Sequence, residues 1–412
     1  MSLKSFSRTA LAGLFFLSLS AADLVSLEET VEQRAAAIHD AVLTIDTHVD
    51  TPMRLTQPGY DIAKKNDPRK GGGKLDFPRM KEGGLDAVFF AVFVGQGPRT
   101  AEGNQRAKKE ALETLEAIDK AIKTNSGLAE KALTPDDAYR IEKKQKRAIY
   151  IGLENGYPVG RDLTMVKRYY DLGVRYITLC HTRNNDICDS STDKAEHNGV
   201  SLFGKKVIEE MNRLGMVIDV SHISDEAFAD VLKYTKAPVI ASHSCARAIC
   251  DNPRNLSDHM LRALAENGGV IQMCILSDYI KTPEPNPERD AAVKALRAKY
   301  KSFSELSDKE KQKVRKEWFE LQEKFPRNLA NVSDVVDHID HVVKVVGIDH
   351  VGVGTDFDGG GGVDGCFDVS ELGNITIELV RRGYSEEQIR KIWAGNFMRV
   401  FRAVEKVAEE TV

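Results

Sequence analysis

From about residue 41 the hydrophobic pattern of the chain repeats one unit. A stretch with apolar positions at the helical period ends at a glycine, a short apolar run follows, and a polar or ionisable residue closes it. In "MVKRYYDLGVRYITLCH" the helix runs to Leu172, Gly173 supplies the left-handed cap and the apolar run ends at His181. "LFGKKVIEEMNRLGMVIDVSH" repeats the unit with Gly215 as cap and His222 as the closing residue. "SDEAFADVLKYTKAPVIASH" starts on an N-cap serine, Ser224, and ends at His243. "VSDVVDHIDHVVKVVGIDHVGVGTD" caps at Ser333 and Gly347 and ends at Asp356.

The apolar runs fall at 42–47, 85–94, 148–153, 174–180, 216–221, 238–242, 269–275 and 350–355. They alternate little between polar and apolar, as strands do when both faces of a parallel sheet are covered. Eight such strands, nearly all separated by helices, predict an α/β fold of the (β/α)8 TIM-like barrel type. An open doubly wound sheet is the alternative. No run leads straight into a GxGxxG or GxxxxGK[ST] turn, which counts against nucleotide-binding versions of either. One segment breaks the rhythm: residues 281–328 are charged and helix-prone after a Pro-rich start. They predict a helical insertion between the last two strands with a solvated face, a lid or dimer contact being the alternative.

The first residues do not belong to this pattern. Lys4 and Arg8 precede an apolar stretch over residues 10–19, too short to span a bilayer, and Ser20, Ala21 and Ala22 follow. That order predicts a secretory signal peptide over residues 1–22 and a secreted or periplasmic domain over 23–412. The C-terminal "FRAVEKVAEETV" is polar and charged, so no stable membrane anchor is expected. A formal charge of −4 from 58 basic and 62 acidic residues gives no reason to expect nucleic acid as a partner. The six cysteines show no repeated CxxC spacing, and one incidental disulfide or none is expected.

Chemistry concentrates where the runs end. The candidate strand ends carry His48 and Asp50, Glu154, His181, His222, His243 and Asp356. Active sites of barrels lie at the C-terminal ends of their strands, where side chains from several strands converge. Singly, each residue reads as an ordinary rim group or helix cap. Together, four of the ten histidines and three carboxylates at equivalent positions need a counter-charge. A divalent metal supplies one, and the mixed nitrogen and oxygen donors suit zinc. In "THVD" the period-2 alternation puts His48 and Asp50 on one face, so both can reach one ion. His39, His197, His259, His338, His341 and His350 are not placed in the site.

These stretches also carry a resemblance. "IDTHVD", "GLENG", "TLCHTRNND", "DVSHIS", "ASHSCARAICDNPRN", "HVGVGTDFDG" and "GNFMRVF", in this order, resemble the renal (membrane) dipeptidase family of the amidohydrolase superfamily. The likeness runs from about residue 40 to about 403. It implies a binuclear zinc peptidase with two Zn2+ per subunit, His48 and Asp50 on one ion, His222 and His243 on the other, and Glu154 bridging them. It implies a hydroxide between the metals as nucleophile and Asp356 as acid/base. His181 would contact the substrate and the tetrahedral intermediate, and Arg254 would hold the substrate carboxylate. The implied substrates are dipeptides, L-Xaa-D-Xaa as well as L-Xaa-L-Xaa, and the implied assembly is a homodimer. An amidohydrolase acting on another amide, ester or lactam is the alternative, because fold and metals do not set the substrate. The sequence departs from mammalian members in lacking a lipid-anchor tail. Arg183, not a cysteine, stands two residues after His181.

Overall fold

The computed structural model describes residues 29–300 and 306–410, so the signal peptide read over 1–22 lies outside the described residues. All eight apolar runs form strands close to their predicted places. They are β1 (Ile45–Val49), β2 (Ala87–Phe93), and, after the short β3 (Ala129–Lys131), β4 (Arg147–Glu154), β5 (Val174–Thr178), β6 (Val217–Asp219), β7 (Ile240–Ser244), β8 (Val270–Met273) and β9 (Val351–Val353). β3 was not anticipated. It pairs only with the edge of β4 and is partly exposed, so its "AEK" carries no apolar run to announce it.

The other eight strands pair in parallel in chain order, without the reversal that defines a doubly wound sheet. The ring is drawn together between β1 and the residues after β9. Asp50 N–H donates to the Phe357 carbonyl at 2.8 Å and Asp356 N–H to the His48 carbonyl at 2.9 Å. The architecture is therefore a nearly closed (β/α)8 barrel, and its closure sets Asp50 beside Asp356.

β4 shows why the strands read as unbroken apolar runs. Ile149, Ile151 and Leu153 pack in the larger cluster with the surrounding helices, while Ala148 and Tyr150 belong to a second, interior cluster. Gly152 continues the interior face because a Cβ there would lie 2.1 Å from the Tyr176 ring. Glu154 ends it at the C-terminal rim. The interior cluster is floored by the C-terminal helix Asn396–Glu409, whose Phe397 and Phe401 meet Phe89 and Tyr150 with centroids 5.2 and 6.0 Å apart. Burying each of these phenylalanines contributes about 1.5–3 kcal/mol. The sequence reading used "GNFMRVF" for its resemblance alone and described the chain end as polar, without placing this helix in the core. Its apolar stripe of Phe397, Met398, Val400, Phe401 and Val404 makes it part of the core.

Ser224 and Gly215 cap their helices as expected. Ser333 does not. The helix Val332–Val346 starts from Asn331, whose side chain accepts from Asp334 N–H while the Asp334 carboxylate accepts from Asn331 N–H. Between β8 and β9 the charged segment forms helices Pro287–Lys299 and Asp308–Lys324, linked by Lys299 and Glu317 at 2.7 Å. The first buries no residue, in keeping with a solvated face, whereas the second lays Phe319 against Gly71. All six cysteines are buried and free.

Candidate active site

Six of the eight barrel strands, β1, β4, β5, β6, β7 and β9, deliver ionisable residues to one rim of the barrel. His48 lies within β1 and Asp50 just beyond it; Glu154 ends β4 and His243 sits in β7. His181, His222 and Asp356 follow the ends of β5, β6 and β9, each by three residues. His222 and Asp356 have φ of +73° and +61°, and Asn155, beside Glu154, has +72°. Left-handed backbone costs a non-glycine residue on the order of 1 kcal/mol or more, and such residues gather at functional sites because the aim of a side chain depends on it.

Glu154 is the centre of the constellation. Its Oε2 faces His48 Nε2 at 3.5 Å. Its Oε1 faces His222 Nε2 at 3.2 Å and both His243 Nε2 and His181 Nε2 at 3.6 Å. His48 Nε2 also lies 3.6 Å from Asp50 Oδ2, and His222 Nε2 lies 2.8 Å from His243 Nε2. Three interlocking groups result, with ligand atoms within 4.8 Å of one another: His48, Glu154 and His243; Glu154, His181 and His222; and His48, Asp50 and Asp356. The cavity over them holds about 200 Å³. It shares Met53 and Phe93 with a neighbouring cavity of about 1220 Å³ that Lys311 and Gln312 of the insertion help to line.

The donor set fits divalent metal. His48 Nε2, Asp50 Oδ1 and His222 Nδ1 are buried without a hydrogen-bond partner among the described residues, although buried polar atoms are normally paired. Burial, and after it the positive charge of Arg254, pushes the His222 imidazole well below its ordinary range; His243 is lowered by burial and then by His48. Both are thus held in the neutral form that binds metals. Burial and then Arg254 bring His181 down to about 4. The carboxyls are displaced the opposite way. Burial and then the neighbouring Asp50 raise Asp356 well above the usual carboxylate range, and burial and then Glu154 raise Asp50. Packed carboxylates and neutral imidazoles of this kind are relieved by a cation among them.

Arg254, in the loop after β7, is buried beside this cluster. Its Nη2 donates to the His243 carbonyl at 3.1 Å and its guanidinium lies 5.2 Å from the Tyr279 ring centre. Its Nε has no hydrogen-bond partner among the described residues. In barrel order β7 stands across from β2, whose last residue, Phe93, packs its ring edge-on to His181 at 4.7 Å. Five of the six other histidines are engaged elsewhere: His39 with Thr376 and Gly83, His338 with Ala246 and Ile280, His341 with Asp258, His350 with Gly269 and His197 with Asn185.

Several site residues escaped the sequence reading. Tyr176 bonds His48 Nδ1 at 2.8 Å from inside an apolar run, where a tyrosine looks like core. Phe93 and Tyr279 carry no signal beyond hydrophobicity. Asp358 accepts from Thr51 Oγ1 and Arg54 Nε, both at 2.8 Å, and from Lys74 N–H at 3.0 Å. Its place in "TDFDG" was a usable hint.

Known proteins resemble this chain in sequence and in fold. The Dipeptidase tcpJ of Claviceps purpurea is 32% identical over 372 residues, covering 88% of this chain and 77% of that one. Dipeptidase 3 of Homo sapiens is 32% identical over 385 residues, 92% and 68% of the two chains. The crystal structure of the probable dipeptidase PvdM from Pseudomonas aeruginosa superposes with a TM-score of 0.79 at 31% identity, over 92% of this chain and 99% of that one. The match to the family itself spans residues 32–412, and the chain belongs to the membrane dipeptidase family, peptidase family M19.

Proposed function

We propose that this metallopeptidase is a binuclear zinc dipeptidase. His48 and Asp50 would hold one Zn2+ and His222 and His243 the other, with Glu154 shared between the two. The observation that carries the assignment is the division of Glu154: Oε2 turned to His48 and Oε1 to His222 and His243. When bound, the ions supply Lewis-acid polarisation of the scissile carbonyl and make the attacking water acidic.

The chain's own groups supply the rest. Arg254 fixes the substrate carboxylate with a planar cationic fork, and its unpartnered Nε is free to complete that pairing. Asp356 takes a proton from the attacking water and returns it to the leaving amine; it lines the cavity in one group with His48 and Asp50. His181, within reach of Glu154 and open to the cavity, donates to the oxyanion. Substrates are dipeptides whose second residue is L- or D-configured. The protein is exported after removal of residues 1–22, which N-terminal sequencing of the secreted or periplasmic product checks.

The test is metal analysis joined to a dipeptide screen. Purified protein should carry two zinc ions and hydrolyse members of a library of L-Xaa-L-Xaa and L-Xaa-D-Xaa dipeptides. Asp50→Ala should lose metal and activity together while remaining folded. A folded wild-type protein that binds no zinc, and stays inactive after zinc addition, would sink the proposal.

A further inference from the structure

Beneath the site lies a buried carboxylate to which the reaction assigns no task. Asp219 ends β6 and is fully buried, and donors on three strands or their ends converge on it. Its Oδ1 accepts from the N–H groups of Ser221 at 3.0 Å and Ser242 at 2.8 Å. Its Oδ2 accepts from Thr178 Oγ1 at 2.5 Å and Ser242 Oγ at 2.6 Å. Ser242 Oγ lies in turn 2.8 Å from His243 Nδ1.

Proton counting gives this chain a direction. A carboxylate only accepts, so the single hydroxyl proton of Ser242 goes to Asp219. The Ser242 oxygen is then left as an acceptor, and it can only receive a proton carried on His243 Nδ1. A neutral imidazole protonated at Nδ1 keeps its lone pair on Nε2, the atom turned to Glu154 Oε1 at 3.6 Å. We propose that Asp219 is a positioning residue for the metal centre: acting through Ser242, it fixes His243 in the Nδ1–H tautomer with its Nε2 lone pair available to a divalent cation. The inference rests on the two-ion reading for its consequence, but the tautomer itself exists without metal. His222, whose Nδ1 has no hydrogen-bond partner among the described residues, shows no equivalent relay.

The direction of the relay provides the test. In Asp219→Asn the amide oxygen must keep accepting the two backbone N–H groups, which turns the NH2 towards Ser242. Ser242 then receives that hydrogen and sends its own proton to His243 Nδ1, selecting the Nε2–H tautomer, which has no lone pair for the cation. Ser242→Ala removes the link without reversing it. Thr178→Val removes the other hydroxyl from the same Asp219 oxygen and leaves the relay intact.

Binding of Zn2+ and Co2+ to metal-free protein would be measured by competition with a chromophoric chelator, alongside NMR of 15N-histidine-labelled metal-free protein to read tautomers. Asp219→Asn should weaken one of the two ions by roughly 10- to 100-fold. Ser242→Ala should weaken it less, and Thr178→Val should stay within about twofold of wild type, the range of ordinary packing effects. NMR should show His243 protonated at Nδ1 in wild type and at Nε2 in Asp219→Asn. The inference is overturned if Asp219→Asn binds both ions like wild type, or if Thr178→Val is as damaging as Asp219→Asn. It is also overturned if wild-type His243 carries its proton on Nε2, a result that needs no folded variant. A wild-type protein that takes up fewer than two ions defeats the binuclear reading instead, and the tautomer measurement still decides the relay.

Discussion

Gly359→Ala isolates the geometry of the site from the stability of the fold. Gly359 is on the exposed rim, and its backbone lies outside the left-handed region, so alanine adds one methyl group without backbone strain. That methyl would fall 2.1 Å from Asp50 Oδ2 and 2.2 Å from Asp356 Oδ1, where real Cβ atoms essentially never come within 3.0 Å. Both carboxylates must therefore recede by about 1 Å. Displacements of that size cost catalysis about 100-fold, or about 2.7 kcal/mol of transition-state stabilisation. The cost to folding should be small, because the carboxylates can move towards the open cavity. Steady-state hydrolysis of L-Ala-L-Ala and L-Ala-D-Ala with saturating zinc should show kcat lowered by about two orders of magnitude, with the thermal midpoint shifted by only about a degree. A variant within twofold of wild-type kcat would show that the Asp50–Asp356 spacing is not what the reaction requires. A large fall in the midpoint would show that Gly359 serves folding instead.

Three further outcomes follow from the same structure. Arg254→Ala should cost about 2–3 kcal/mol, roughly 30- to 150-fold in kcat/KM for free dipeptides, and should cost little for dipeptide amides, which lack the carboxylate; an equal loss for both would refute the clamp. His338 accepts the Ala246 N–H on Nδ1 at 3.0 Å and donates from Nε2 to the Ile280 carbonyl at 2.9 Å, and burial holds it below the ordinary histidine range. Because the folded value is depressed, its contribution to stability is present above the ordinary histidine value and is lost as pH falls towards the folded one. Urea melts of metal-free protein at pH 7 and pH 5 should therefore show a smaller acid loss in His338→Gln than in wild type; equal losses would remove His338 from the account. Asp358→Ala strips Thr51, Arg54 and Lys74 N–H of their acceptor at the β1–β9 seam and should lower stability by about 2 kcal/mol in a urea melt. An unchanged midpoint would show that the backbone bonds close the barrel unaided.

Much of the fold was legible because the same physical demand acts on every βα unit. A strand buried on both faces must be apolar throughout, a helix covering it must be apolar on one stripe, and glycine or a capping side chain must separate them. This placed the eight strands within a few residues and put His48, Glu154, His243 and their companions at strand ends. β3 was missed because an edge strand paired on one side needs no apolar run. Asn331 was missed as a cap because Ser333 offered the same chemistry two residues later.

Local pattern by itself thus determined the barrel, its insertion and the identity of the residues at its rim, since each of those depends on neighbours along the chain. The tertiary structure decided what those residues do to one another. Glu154 divides its oxygens between His48 and the pair His222 and His243, which joins strands far apart in sequence, while Arg254 against His243 and Asp219 reaching His243 through Ser242 depend on how β7 and its loop pack on β6 and the rim. No periodicity records these relations. They arise from the lateral pairing of the strands around the ring, and from the burial that leaves carboxylates, imidazoles and hydroxyls one another as partners.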